Sequence, residues 1–248
     1  QPKSKKLIYG VVCCGSKEEV ESLLKKAESS KDYFGGYYLA ARKHLINKPV
    51  NPEGEKYKFS IDRMNATLFT NVVYPVYTQK EYIRHSAPGR WWDCLYTWDS
   101  GFNGLGLLQS DTTRAVESLN AYVQEAGAQS AFIHHGSPVP VQHYLFQELW
   151  NATQSKEMLN YFYPRLKQYH EFFAGRLGSS TTRGLKSNIL KTWDYFYNSG
   201  GWDDLPPQKY THDEKLESTV APVITSSQAI RTAKILKMFA NYLGKKDD

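Results

Sequence analysis

Apolar residues along this chain follow one spacing near the start and another over most of the length. Residues 6–15, KLIYGVVCCG, make a short apolar, β-branched run ended by glycine, which predicts a buried strand. Ser16 and Glu19 then have the spacing of a capping box, in which each side chain bonds the other's backbone N–H. The helix it opens, SKEEVESLLKKAESS, carries Val20, Leu23, Leu24 and Ala27 on one stripe. A second helical patch, GYYLAARKHLI, covers 36–46, and NKPVNPEGEKY ends it with two prolines and a glycine. The lone strand has no neighbour to pair with, so it is expected to complete a sheet made by residues outside this chain.

From about residue 57 helical spacing takes over. YKFSIDRMNATLFTNVVY places Phe59, Ile61, Met64, Leu68 and Val72 three and four residues apart. GFNGLGLLQ follows, and Asp111 is set to cap TTRAVESLNAYVQEA. VPVQHYLFQELWNAT, SKEMLNYFYPRLKQYHEFFAGRL, LKSNILKTWDYFYNS and STVAPVITSSQAIRTAKILKMFANYL read as further helices. That makes about seven helices with no strands between them. The expected organisation is a terminal strand with linker helices over 1–56, and an all-α array of helix hairpins over 57–248.

Composition bounds the function without choosing it. A hydrophobic share of 41% supplies ample core, and a net charge of +6 is mild. The basic residues cluster only in the end segments PKSKK and GKKDD, which read as solvated tails, so no nucleic-acid partner is expected. No apolar run approaches the roughly 20 residues of a membrane span, and none has the pattern of a signal peptide. The compartment stays open, with a periplasmic or secreted setting preferred. Cys13, Cys14 and Cys94 lack the spaced pairs of a disulfide framework or a zinc site, so buried free thiols are expected. Asn65-Ala66-Thr67 and Asn151-Ala152-Thr153 match the glycosylation sequon, a signal too short to stand alone.

The chemistry-bearing signal is a Trp-Asp step. Six tryptophans and eleven aspartates in 248 residues would produce roughly 0.3 such steps by composition alone. Four occur, at Trp92-Asp93, Trp98-Asp99, Trp193-Asp194 and Trp202-Asp203. They sit in WWDCLYTWDSGF and WDYFYNSGGWDD, where helices are expected to join loops. Aromatic faces cover the apolar C–H faces of a sugar ring, and an ionised aspartate only accepts hydrogen bonds, as a rim of hydroxyls requires. Paired carboxylates also supply the acid and base of glycosidic cleavage. The competing account makes the tryptophans core residues and the aspartates helix caps; for Asp203 that cap would precede LPPQ. Propeller blades recur every 40–45 residues and are all-β, unlike intervals of 6, 95 and 9 residues in a helical context.

YTWDSGF at 96–102 followed by GGWDDLP at 200–206 resembles the two signature loops of the (α/α)6-toroid glycosidases. These are the trehalase family and glycoside hydrolase family 63, the latter comprising processing α-glucosidases and mannosylglycerate-type hydrolases. The resemblance covers roughly 57–242. It implies an inverting hydrolase acting on an α-linked glycoside, most readily a glucoside-like sugar, with Asp203 as general acid. Burial beside Trp202 and repulsion from Asp204 would hold its proton near neutral pH. By the same resemblance Asp99 binds hydroxyls of the cleaved sugar and Trp98 forms a wall. Trp92, Phe102, Trp193, Asp194, Gly201, Trp202 and Asp204 complete the expected binding set. Gly200 stands where the family has serine.

His134 and His135, in FIHHGSPVPVQ, are candidates for sugar contacts or for satisfied structural histidines; no third ligand at zinc-like spacing supports a metal. No cofactor is expected. THDEKLE at 211–217 could chelate calcium, but a charged solvated loop is the preferred reading. An inverting enzyme needs a second carboxylate about 6.5–9.5 Å from the first. No glutamate after 204 has aromatic company, so the base and the remaining helices are expected on a companion polypeptide segment outside this chain. The alternative is a non-catalytic carbohydrate-binding or scaffold fragment of such an enzyme.

Overall fold

The structure is a computed structural model, and it describes residues 4, 10–29, 33–46, 51–78, 81–87, 89, 91, 96–123, 125–127, 139–178, 180, 182–191 and 205–245. The described residues are mostly helical. Helix α1 (Lys17–Ser29) opens with the expected capping box. Ser16 N donates to Glu19 Oε2 at 2.8 Å, and Glu19 N donates to Ser16 Oγ at 3.3 Å. Its apolar stripe buries no residue. Helix α2 (Tyr33–Ile46) follows, then a 3₁₀ turn (Pro52–Tyr57). Asn51 Oδ1 starts that turn by accepting from Glu53 N at 3.1 Å.

Two expectations for the N-terminal part change. Residues 10–15, the described portion of the predicted strand, are irregular, with Val12 78% exposed. A strand leaves backbone donors and acceptors open unless a neighbour pairs them, and no neighbour lies there among the described residues. Residues 6–9 lie outside the described residues. Cys13 and Cys14 are free thiols, but Cys14 is exposed rather than buried; Cys94 lies outside the described residues.

Helix α3 (Lys58–Thr70) is shorter than its apolar spacing suggests. Ile61 and Leu68 turn inward while Phe59 and Met64 face solvent. Val72 continues no stripe: it opens strand β1 (Val72–Thr78), paired antiparallel with β2 (Glu81–Ser86). This hairpin corrects the expectation of helices alone. VVYPVYT and EYIRHS are rich in β-branched and aromatic residues, which fit a pleated surface better than a helix. Pro75 also cannot donate within a helix interior. The register slips between Val73 and Val76, putting Tyr74 and Pro75 at a bulge, where a proline is tolerated. Two backbone-directed bonds tie the hairpin's end to the helices. Ala87 N donates to the Asn71 carbonyl at 2.9 Å, and Asn103 Nδ2 donates to the Ala87 carbonyl at 3.1 Å.

Five helices build the core: α4 (Thr97–Leu108), α5 (Thr112–Asn120), α6 (Val141–Thr153), α7 (Lys156–Phe173) and α9 (Val223–Tyr242). Asp111 caps α5 as expected, its Oδ1 accepting from Thr113 N and Arg114 N at 2.9 and 3.2 Å. Ser155 caps α7 through Met158 N at 3.2 Å. Leu107, Leu119, Leu145, Phe146, Leu149, Phe162, Leu166 and Phe239 form the centre of one apolar cluster. The Phe146 ring packs 5.1 Å from Phe239 and 5.3 Å from Phe162, the edge-on and tilted arrangements that aromatic quadrupoles favour.

The helices alternate in direction. Gly101 meets Val141 and Gly104 meets Leu145, so α4 and α6 run parallel in register. His143 lies by Leu166 and Phe146 by Phe162, so α7 returns antiparallel to α6. Thr232 bonds His170, and Lys245 lies over the Tyr163 ring, so α9 runs against α7 and along α6. The short helix α8 (Pro206–Asp213) starts with prolines at its first two positions, where their missing N–H costs nothing. It takes up the first part of the segment expected to be a charged loop.

The helix expected over 185–199 is absent from its described part, 185–191. Polar groups fold that segment back on the end of α7 instead. Thr182 Oγ1 donates to the Phe173 carbonyl at 2.9 Å and Arg183 Nε to the Ala174 carbonyl at 2.7 Å. Lys191 N donates to the Thr182 carbonyl at 2.9 Å, and Asn188 adopts a left-handed φ of 59°. These bonds each span nine residues and hold the segment off a helical path.

The close α4–α6 approach is the feature most exposed to mutation. A Cβ at Gly101 would stand 2.5 Å from Val141 Cβ and 3.1 Å from the Val141 carbonyl carbon. Gly101→Ala is expected to lose about 1–3 kcal/mol of stability to overpacking, outweighing the roughly 1 kcal/mol gained in helix propensity. Gly36→Ala, in α2 with nothing near its Cβ position, should be neutral or stabilising. Urea denaturation of the two variants checks the opposite signs.

Candidate functional site

The first Trp-Asp signature does not sit in a loop. Tyr96 is the N-cap of α4, so Thr97, Trp98 and Asp99 occupy its first turn. Helical spacing then splits YTWDSGF between two faces. Ser100 and Gly101 are buried toward the bundle. Trp98, Asp99 and Phe102 share the opposite side, since positions three and four apart are neighbours on a helix. Trp98 and Phe102 meet edge-to-face with ring centroids 5.8 Å apart, and Phe102 is 50% exposed. Asp99 stands where the helix's positive end favours a negative side chain. Indole, phenyl ring and carboxylate are thus gathered within one turn, partly open to solvent.

Two motif-bearing segments are anchored at this end of the bundle. Gln142 Nε2, in the first turn of α6, donates to the Thr97 carbonyl, tying the N-termini of α4 and α6 together. Val139 and Pro140, which follow His134 and His135 in sequence, lead directly into α6. Leu190 N donates to Ser226 Oγ at 3.2 Å, so the chain approaching Trp193 is fixed to the first turn of α9. Pro140 and Thr225 line one cavity. The N-termini of α4, α6 and α9 therefore meet at one end of the bundle, and the segment before the second signature is attached there.

Trp98, Asp99 and Phe102 are the predicted site residues that the structure brings together. Trp92, His134, His135, Trp193, Asp194, Gly201, Trp202, Asp203 and Asp204 lie outside the described residues. The helix that begins in LPPQ has Leu205 at its N-cap position. In the segment weighed for calcium, His212 Nδ1 lies 2.9 Å from Glu217 Oε1. Among the described residues no three histidines, cysteines or carboxylates are grouped to hold a metal ion.

A polar cluster beneath this end went unnoticed in the sequence. His143 of α6 is 1% exposed, and its Nε2 lies 3.0 Å from the Leu166 carbonyl. A carbonyl only accepts, so Nε2 carries the proton and Nδ1 is left as an acceptor. Tyr169 stacks on this ring at 5.9 Å, and His170 stands edge-on at 6.3 Å. His170 Nδ1 lies 2.9 Å from Thr232 Oγ1, and the Thr232 hydroxyl is itself directed at the Gln228 and Ala229 carbonyls. Burial, reinforced by His170, lowers the His143 pKa to about 3 against the weaker pull of the Leu166 and Pro140 carbonyls. Burial also lowers the His170 pKa, with Glu171 opposing. The available signal was two histidines on otherwise apolar helix faces 27 positions apart, but only the α6–α7 crossing relates them.

These histidines line a cavity of about 10 Å³, room for one water and far too little for a sugar ring. A groove of about 390 Å³ lies on another side of α7, bordered by Tyr163, Lys167, Glu171, Arg176 and Lys245. Neither is where Trp98 and Asp99 stand. No protein-family profile, characterised sequence or solved structure matches this chain at a significant level. No helix among the described residues is long and apolar enough to cross a membrane.

The buried histidine carries a pH signature. Its pKa is depressed in the folded chain, so protons favour the unfolded chain between the two pKa values. Its contribution is fully present above about pH 6.5 and declines as pH falls toward about 3, with a limiting slope near 1.4 kcal/mol per pH unit. His143→Gln keeps an N–H for the Leu166 carbonyl and removes the titration. Denaturant midpoints across that window should fall less steeply in the variant than in the parent.

Proposed function

We propose that this chain belongs to an (α/α)6-toroid glycosidase that cleaves an α-linked glycoside with inversion, and that Asp203 is its general acid. The observation that carries the reading is the meeting of the α4, α6 and α9 N-termini. It places Trp98, Asp99 and Phe102 at the same end of the bundle as the anchor of the segment leading to the second Trp-Asp loop. The alternating helix directions, with α4, α6 and α9 running one way and α7 returning, are those a ring of helix hairpins requires. The sequence pair YTWDSGF and GGWDDLP carries the rest.

In this reading Trp98 and Phe102 cover the apolar face of the sugar. Asp99, ionised at the positive end of α4, accepts from its hydroxyls. Asp203 delivers a proton to the glycosidic oxygen as the bond to the anomeric carbon breaks. Water adds to that carbon from the opposite face, losing its proton to a second carboxylate about 6.5–9.5 Å from the first. That base is a glutamate on a companion segment, Glu214 and Glu217 of this chain lying in a charged run. The reading assigns saccharide contacts to Trp92, His134, His135, Trp193, Asp194, Gly201, Trp202 and Asp204.

The test uses the full-length protein with α-glucosides, α-mannosides and trehalose, following the anomer released by NMR. Asp203→Asn should reduce turnover by about 10²–10⁴-fold while calorimetry still detects saccharide binding. Trp98→Ala should weaken that binding. A parent protein that binds saccharide without turning it over would replace this reading with a non-catalytic carbohydrate-binding module. One that does neither would end both.

A further inference from the structure

The cavity under the α6 and α9 N-termini is lined by Pro140, His143, His170, Phe173, Thr225 and Thr232, and two of these side chains carry a polar atom without a partner among the described residues. His143 Nδ1 and Thr225 Oγ1 are buried without a hydrogen-bond partner among the described residues, their residues being 1% and 3% exposed. Leaving such groups dry costs about 1–3 kcal/mol each. The hydrogen-bond directions around them determine what can fill the space. His143 is protonated at Nε2, because that atom faces the Leu166 carbonyl, so Nδ1 offers a lone pair. The Thr232 hydroxyl donates to backbone carbonyls, so His170 donates to it from Nδ1 and Nε2 also offers a lone pair. Thr225 Oγ1 carries the one unassigned hydroxyl proton.

We propose that this cavity is a binding site for a single water molecule, donating one hydrogen to His143 Nδ1 and one to His170 Nε2 and accepting from the Thr225 hydroxyl. The donor and acceptor count closes: two lone pairs and one O–H match a water's two hydrogens and one of its lone pairs. Three partners is the usual number for a buried water, and about 10 Å³ is about the room one occupies. A metal dication is the poorer occupant. Two neutral imidazoles and a hydroxyl fall short of the four ligands of a structural zinc site. No lining residue bears a carboxylate to offset the buried charge. The water would join α6, α7 and α9 below the segments that hold Trp98 and the approach to Trp193. The inference does not depend on the proposed glycosidase activity.

A high-resolution crystal structure of the protein at neutral pH should show one peak within hydrogen-bond distance of His143 Nδ1, His170 Nε2 and Thr225 Oγ1. Thr225→Val, nearly isosteric, should lose that peak. In the unaltered protein, imidazole ¹⁵N NMR should report the Nε2–H form of His143 and the Nδ1–H form of His170. Both rings should show cross-peaks to a slowly exchanging water. The NMR measurement stands even if the variant fails to fold. An empty, well-ordered cavity, an anomalous signal from a metal, a His143 protonated on Nδ1, or undiminished water in Thr225→Val would each overturn the proposal.

Discussion

The arrangement of the bundle depends on how near α4 can come to α6. Gly101 and Gly104 leave no side chain between the helices, and Val141 and Leu145 occupy the space. That contact sets the two helices parallel and in register, and only with that register does Gln142 reach the Thr97 carbonyl. It also decides which way the first Trp-Asp signature faces. With one face of α4 pressed on α6, Trp98, Asp99 and Phe102 lie on the opposite one, partly open to solvent. Gly106 meets Leu68 of α3 in the same way, so three glycines in GFNGLGLL answer to packing.

The second organising constraint is polar. Most of the core is a continuous apolar cluster from Leu107 to Phe239, but at the end where helix N-termini meet it gives way to His143, Tyr169, His170, Thr225 and Thr232. Each histidine spends one nitrogen on a fixed partner, the Leu166 carbonyl or the Thr232 hydroxyl, which settles its tautomer. Burial lowers the pKa of both rings. Buried polar groups bonded in this way specify relative helix positions more narrowly than apolar contacts do.

Local sequence accounts for the parts whose physics is local. The Ser16–Glu19 capping box, the Asp111 cap and the helices α6 and α7 each follow from residues within a few positions of one another. The hairpin β1–β2 was also encoded locally, in VVYPVYT and EYIRHS. The apparent helical stripe running from Phe59 to Val72 concealed it, because three- and four-residue spacings arise by chance in apolar-rich stretches. Residues 185–191 failed as a helix for a non-local reason: Thr182 and Arg183 bond the carbonyls at the end of α7. Trp-Asp repetition singled out Asp99 as a candidate, whereas His143 and His170 carried no comparable motif.

By itself the amino-acid sequence determined the caps that open α1 and α5, the apolar faces of α6 and α7, and that indole and carboxylate are repeatedly adjacent, since each is a property of neighbours along the chain. The tertiary structure alone decided that Gly101 and Gly104 form a seam, that the N-termini of α4, α6 and α9 share one end, and that two histidines 27 positions apart line one cavity. These depend on which helix faces meet and in what register. That choice rests on side-chain volumes summed across several helices, which no short stretch of sequence contains.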